Sequence, residues 1–190
     1  MGMRLIITEE EKQRIKNLYE DIVDTEESVE TVPTNIVIGD SQTPYVDAAT
    51  TKASRISTTG GKSSLWLGGM GVNWLKDAVN SYPTVNNNVK NVVTVIGTNG
   101  DFGKVFGASE DIAGLFAAIH TKFPNATILV VQGSWGWGKM RSTEQDVRTY
   151  YKKYSDLGGI LIEPPIGNVE PHGPRPVYTT IGAAIDAAIR

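Results

Sequence analysis

The stretch Asn35-Ile-Val-Ile-Gly-Asp-Ser-Gln-Thr43 decides the fold and points to the chemistry. Its apolar residues Ile36 to Ile38 stop abruptly at Gly39, which is typical of a buried strand that ends in a turn. The turn presents Ser41 at the carboxyl end of the strand, where ligands of open α/β sheets bind. We therefore expect Ser41 to be the nucleophile of any reaction that this chain catalyses.

Further apolar runs alternate with amphipathic helical patterns along the chain. Such alternation predicts βαβ units and a parallel sheet with helices on both faces. Five strands give a three-layer α/β/α sandwich with a five-stranded parallel sheet of the flavodoxin-like type. The strands are predicted at residues 36–38, 64–67, 92–96, 128–131 and 160–162.

The turn chemistry places some helix starts, and one long segment has no pattern. Ser109 is predicted to cap the helix after the third strand. Ser142 and Gln145 fit a capping box for the helix before the last strand. Residues 45–64 are polar and show no clear periodicity, so no helix or strand is predicted between residue 45 and the strand that begins at residue 64.

Composition excludes several classes of protein. The chain has 190 residues, a net charge of -3, no cysteine and two histidines. The charge argues against a nucleic-acid partner, and the absence of a His, Asp and Glu cluster argues against a metal site or other cofactor. There is no apolar run of membrane-spanning length and no signal-peptide pattern, so we expect a soluble protein without a membrane partner, cytoplasmic or virion-associated.

Residues 1–32 differ from the rest and are predicted to be an amphipathic helix followed by an acidic linker, with the main domain at 33–190. The helix either packs on that domain or docks on another subunit or protein. Its opening, Arg-Leu-Ile-Ile-Thr-Glu-Glu-Glu, resembles short leaders of marine phage proteins, which implies a phage origin and a virion or host-surface role. The apolar stripe consists of Ile15, Leu18, Tyr19, Ile22 and Val23.

Four stretches place chemically useful groups at strand ends or in the last loop. The carboxyl ends of parallel strands share one edge, so we expect a hydroxyl, glycine amides, a carboxamide and an imidazole to meet there. His172 would accept the proton of Ser41, and the oxyanion would be held by the amides of Ser41 and Gly69 and the side chain of Asn99. The stretches are Gly39-Asp40-Ser41, Gly68-Gly69, Gly97-Thr98-Asn99 and Glu170-Pro171-His172.

These motifs resemble the SGNH hydrolase superfamily, also called GDSL-type esterases, over about residues 34 to 190. The first motif reads Gly-Asp-Ser-Gln, with Gln42 where leucine often stands, and the third reads Gly97-Thr98-Asn99. The second motif is the weakest, with Gly69 preferred and Gly71 in reserve. The last motif resembles the family's histidine followed six residues later by an aromatic residue and a helix, here His172 and Tyr178.

The resemblance implies a serine ester hydrolase that removes an acyl group, preferably acetyl, from a carbohydrate or another small ester. Two positions depart from the family pattern. Gly100 follows Asn99 where the family has aspartate, and Val169 stands where the family has an aspartate three residues before His172. Glu170 is expected to replace that aspartate as the third catalytic residue; in the alternative a backbone carbonyl orients the imidazole. The alternative is a catalytically idle module of this fold that binds glycans or has a structural role.

The loop Gly133-Ser-Trp-Gly-Trp-Gly-Lys139 contains most of a phosphate-binding motif. Met140 stands where Ser or Thr would hold Mg²⁺, so we do not expect a nucleotide site. Trp135 and Trp137 instead suggest a stacking platform for a sugar or acyl group, with Asp101 as a further substrate-binding residue. In the alternative interpretation both tryptophans pack beneath the loop.

Overall fold

A parallel sheet organises the part of the chain that the structure describes. A computed structural model describes residues 32–56, 65–105, 109–167, 170, 172 and 176–190. Its four strands lie in the order in which they occur in the chain, and each pairs in parallel with the next. The strands are β1 (Asn35–Gly39), β2 (Asn91–Val95), β3 (Thr127–Val131) and β4 (Ile160–Ile162).

The sheet has four strands among the described residues, so the prediction of five is wrong. The segment predicted as the missing strand lies along the free edge of β1 but forms only one isolated bridge, between Trp66 and Gly39. Gly39 N donates to the carbonyl of Leu65 at 2.9 Å, and Leu67 N donates to the carbonyl of Gly39 at 3.1 Å. Gly68 and Gly69 then form a turn, so the contact ends before a strand can form.

Five α-helices accompany the sheet in the described part of the chain. Alternate strand residues face opposite sides, so Ile36 and Ile38 contribute to one apolar cluster and Val37 to another. The first cluster contains residues of α2, α3 and α4, and the second contains residues of α1 and α5, which gives three layers. The helices are α1 (Thr43–Ala49), α2 (Val72–Ser81), α3 (Ile112–Lys122), α4 (Glu144–Asp156) and α5 (Pro176–Ala188).

The N-terminal helix and acidic linker, predicted at residues 1–32, lie outside the described residues except for Val32. The domain boundary, the docking role of the helix and the phage resemblance therefore stay predictions. None of the described helices combines the length and the apolar character needed to cross a bilayer. Across those same ranges, no group of three or more His, Asp or Glu side chains is arranged to hold a metal ion.

Candidate active site

Ser41 stands on a turn that β1 and β2 build together. Gly39 has φ of +146°, and a Cβ on it would lie 1.9 Å from the carbonyl oxygen of Val95, so only glycine fits. The next residue, Asp40, donates its main-chain N–H to the same oxygen at 2.8 Å. This close crossing of the two strand ends turns the chain sharply and leaves Ser41 at the carboxyl edge of the sheet.

A second turn at the end of β2 places Asn99 at the same edge. Gly97 has φ of +118°, and a Cβ there would approach the Tyr150 ring to 2.7 Å. The turn continues as a short 3₁₀ helix, Thr98–Gly100. Tyr151, which is fully buried, donates its hydroxyl to the carbonyl of Ile96 at 2.6 Å and thereby ties the turn to α4.

His172 comes from the loop between β4 and α5 and reaches Ser41 across 131 positions of sequence. Its Nε2 lies 2.7 Å from the Oγ of Ser41, within hydrogen-bonding distance. Its Nδ1 lies 2.7 Å from Oε1 of Glu170, and the same oxygen accepts the main-chain N–H of His172 at 3.0 Å. The structure thus brings hydroxyl, imidazole and carboxylate into one line in the order of a catalytic triad.

The carboxylate of Glu170 is held in its charged form. Donation by the main-chain N–H of His172, and then by its ring, keeps the pKa of Glu170 below its usual range. An ionised Glu170 favours the imidazole tautomer with hydrogen on Nδ1, which leaves Nε2 free to accept from Ser41. Val169, which stands where the SGNH family has an aspartate, lies outside the described residues.

Aromatic rings flank the imidazole. The ring of Tyr45 on α1 meets His172 edge-on at 6.0 Å between centroids and stacks on Tyr178 of α5 at 5.3 Å. Trp137 also approaches His172 edge-on, at 6.4 Å. These contacts restrict how the exposed histidine can turn away from Ser41.

A cleft of about 400 Å³ opens over Ser41. We call it the Ser41 cleft. Its lining combines the predicted Ser41, Asn99, Trp137 and His172 with four residues that carried no predicted role. Those four are Gln42, Thr98, Lys139 and Met140.

The segment that contains Gly69 runs beside the nucleophile. A Cβ added to Gly68 would lie 3.6 Å from the Cβ of Ser41, which shows how closely this turn approaches. Gly69 follows with φ of +77°, whereas Gly71, the reserve candidate, precedes α2 as its N-cap. Among the described residues no acceptor is found for the main-chain N–H of Ser41 or Gly69.

The carboxamide of Asn99 points toward both turns. Its Nδ2 donates to the carbonyl of Met70 at 3.0 Å and, over a longer 3.3 Å, to Oδ2 of Asp40. The bond to Met70 fixes the side chain beside the Gly68–Gly69 turn. The longer bond is the one that a substrate oxygen could replace, because a stretched hydrogen bond costs less to exchange.

Two predicted substrate-binding residues lie elsewhere. Trp135 packs against Gly167, donates its main-chain N–H to Ile166 at 3.1 Å and is not among the residues that line the Ser41 cleft. Asp101 is bound by the hydroxyl of Ser142, and it does not line the cleft either. Of the two tryptophans, one therefore packs beneath the loop and the other faces the site.

The site residues without a predicted role differ in how visible they were in the sequence. Gln42 and Thr98 are parts of the two motifs, and their side chains join by a 2.8 Å hydrogen bond that links the two turns. Lys139 was visible as the last residue of the glycine-rich loop. Tyr45 carried no signal, because it lies in a segment whose pattern predicted no helix.

Asp40 is fully buried beneath the nucleophile. It accepts from the main-chain N–H of Gln42 at 2.9 Å and from Asn99. Burial raises the pKa of Asp40 to about 7, against lowering contributions from the Gln42 N–H and from His172. The carboxyl group thus braces both turns and binds a proton more tightly in the folded chain than in the unfolded chain.

This difference predicts a pH-dependent stability. The folded pKa is raised, so Asp40 makes the free energy of unfolding fall as pH rises from about 4 to about 7. In Asp40→Asn that contribution is absent. Between pH 5 and pH 7 the wild type should lose roughly 2–3 kcal/mol more than the variant does. Urea unfolding of both proteins at the two pH values measures the difference, and equal losses would show that Asp40 does not titrate in this range.

Comparisons with known proteins support the fold. No protein-family model and no curated protein sequence matches the chain. A solved structure from Streptococcus pneumonia, a proposed platelet activating factor, superimposes with a TM-score of 0.62 at 15% identity, covering 95% of this chain and 94% of its own. A proposed arylesterase from Agrobacterium tumefaciens str. C58 gives 0.52 at 17% identity, covering 84% and 99%. The chain is similar to both in fold.

Proposed function

We propose that this chain is a serine ester hydrolase of the SGNH type with Ser41 as nucleophile, His172 as general base and acid, and Glu170 as the residue that orients the imidazole. The hydrogen-bonded line Ser41 Oγ–His172 Nε2 and His172 Nδ1–Glu170 Oε1, at 2.7 Å for each pair, carries the proposal. A serine hydroxyl is a poor nucleophile unless a base takes its proton as it attacks. The Ser41–His172 contact lies in the range that proton transfer needs, and the His172–Glu170 contact is short enough to hold the imidazole in place.

The reaction follows from this geometry. Ser41 Oγ bonds to the ester carbonyl carbon while its proton passes to His172 Nε2. The tetrahedral intermediate collapses, the bond to the alcohol oxygen breaks, and His172 returns the proton to the departing alcohol. Water then attacks the acyl-enzyme, its proton passes to His172, and the acid leaves as Ser41 recovers its hydrogen.

The oxyanion of both intermediates needs donors fixed in advance. In this proposal it accepts from the main-chain N–H groups of Ser41 and Gly69 and from the Asn99 carboxamide. The approach of the Gly68 turn to Ser41 and the long Asn99–Asp40 bond support these assignments.

The substrate in this proposal is a short acyl ester, preferably an acetyl ester of a carbohydrate. The volume of the Ser41 cleft, about 400 Å³, suits a small ester, and the Trp137 ring offers an apolar face beside His172. One of the two similar structures is described as an arylesterase, an ester hydrolase, which is in line with this chemistry. The family resemblance of the four motifs supplies the preference for acetyl.

A fluorophosphonate probe tests the proposal, because it phosphonylates an activated serine much faster than an ordinary one. We expect a covalent adduct on the peptide that contains Ser41, and none in Ser41→Ala. If the wild-type chain forms no adduct but still binds glycans, the idle-module alternative is correct. One observation is in line with that alternative. The side chains of His172 and Glu170 are 39% and 50% accessible to water, so solvent competes for the hydrogen bond between them.

A further inference from the structure

Lys139 is a positively charged residue of the Ser41 cleft, and it has no role in the proposed reaction. It lines the cleft with Trp137 and Met140, its neighbours on the loop between β3 and α4. The sequence from Gln132 to Thr143 contains Lys139 and Arg141 but no acidic residue. The loop therefore brings positive charge to the site without bringing its own counter-ion.

The carboxylates of the surrounding turns are bound by other donors. Asp40 accepts from Gln42 and Asn99, Glu170 accepts from His172, and the side chain of Asp101 accepts from Ser142. Within the described residues, no ion pair or hydrogen bond of the Lys139 ammonium group is found.

Within 33–190, the residues outside the described ranges contain no acidic side chain that could pair with Lys139. Residues 57–64, 106–108, 168–169, 171 and 173–175 contain no aspartate or glutamate. A lysine beside a polar cleft, with no carboxylate partner among the residues that the structure describes, is suited to bind an anionic group of a ligand, because none of those residues neutralises its charge.

The position of the loop indicates which part of the substrate carries the anion. His172 must reach the leaving alcohol to return its proton, and the Trp137 ring lies 6.4 Å from the His172 ring. In the proposed reaction this contact puts Trp137 beside the departing alcohol, and Lys139 follows on the same loop and lines the same cleft. The remaining polar lining, from Gln42 and Thr98, belongs to the turns near Ser41 itself.

We propose that Lys139 selects esters whose alcohol part carries an anionic group, such as a carboxylate, a sulfate or a phosphate, while Trp137 contacts the ring to which that group is attached. This inference rests on the proposed function, and it narrows the substrate class from neutral acyl esters to acyl esters of acidic sugars or similar acidic alcohols. Such an exposed ion pair is screened by salt, so the selectivity falls as ionic strength rises.

Two esters that differ only in charge test this inference. Both 4-acetoxybenzoate and 4-acetoxybenzamide release acetate, and only the first carries a carboxylate on the alcohol part. We expect Lys139→Met to lower the ratio of kcat/KM for the acid to that for the amide roughly twofold to fivefold at low salt. Lys139→Arg should retain most of the ratio. Lys152→Met, which removes a lysine from the exposed face of α4, should leave the ratio unchanged and controls for net charge.

The outcomes separate the inference from the proposed function. An unchanged ratio in Lys139→Met, with both esters hydrolysed, would overturn the inference and leave the esterase standing. If neither ester is hydrolysed by the wild-type chain, the proposed function fails. Calorimetric titration with 4-hydroxybenzoate and 4-hydroxybenzamide then tests whether Lys139 binds an anionic group. Tighter binding of the acid that disappears in Lys139→Met supports the inference, and equal binding of the two contradicts it.

Discussion

Replacing Ser41 with alanine is expected to lower kcat/KM for p-nitrophenyl acetate by roughly 10⁴-fold or more, because no other group takes the place of the nucleophile. The loss should fall on kcat, since alanine leaves the cleft and its donors in place. The stability should change little, because the one partner of the Ser41 hydroxyl among the described residues is the exposed His172. Initial rates and thermal unfolding of the two proteins measure both effects.

A second serine provides the matched control. Ser155 lies in α4, where its hydroxyl donates to the carbonyl of Lys152, and it takes no part in the Ser41 cleft. Ser155→Ala should keep wild-type activity. Activity within a few-fold of wild type in Ser41→Ala would exclude this serine as the nucleophile.

Replacing His172 with alanine is the second large effect. Without the base, Ser41 keeps its proton during attack and the alcohol leaves without one, so kcat should fall by about 10³-fold to 10⁵-fold. Because His172 is exposed, its removal leaves an open space that small molecules can enter from solvent. Added imidazole should therefore restore part of the rate to His172→Ala and none to Ser41→Ala.

The chain offers a matched control for this experiment as well. His120, its other histidine, is exposed near the end of α3 and does not line the Ser41 cleft. His120→Ala should retain full activity. Equal losses in the two histidine variants, or no rescue of His172→Ala by imidazole, would count against a direct proton-transfer role for His172.

Much of the fold could be predicted from the sequence because its central strands are buried on both faces. All five residues of β2 are buried, and its three valines together with Ile96 give a mainly apolar run that is closed by Gly97. The strand predicted at 64–67 failed for a local reason. Its hydrophobic run is as clear as that of β4, but only Trp66 pairs with β1 before the two glycines turn the chain.

Other errors came from contacts that sequence periodicity does not record. The helix α1 has only seven residues and buries only Thr43 and Val46, so no apolar stripe announced it. The capping box of α4 is formed by Thr143 and Asp146 instead of Ser142 and Gln145. The reason is tertiary, because the Ser142 hydroxyl donates to Asp101, 41 positions earlier.

The candidate site could be predicted to the extent that its residues lie in short motifs at strand ends. The structure places Ser41, Asn99 and His172 around one cleft, as the parallel topology implied, while their catalytic roles stay predictions. The aromatic loop could not be resolved from sequence, because Trp135 and Trp137 are two residues apart and differ only in their packing. Trp135 packs against Gly167, where the absence of a side chain leaves room for the indole ring.

Asp40 shows why a sequence motif does not reveal the protonation state of its residues. Its place in the Gly-Asp-Ser stretch gave no protonation state, and its hydrogen bonds to Gln42 and Asn99 show that it braces both turns. Its raised pKa depends on complete burial, which arises only when the turns after β1 and β2 pack together. Electrostatics of this kind depend on the tertiary structure.

The central claim is that Ser41 becomes acylated, and mass spectrometry of a rapidly quenched reaction with p-nitrophenyl acetate tests it most directly. The account predicts an acetyl group on the peptide that contains Ser41, formed in step with the first equivalent of p-nitrophenolate and absent from Ser41→Ala. Turnover of the ester with no acetyl group on Ser41 at any quench time, or with the group on another residue, would contradict it.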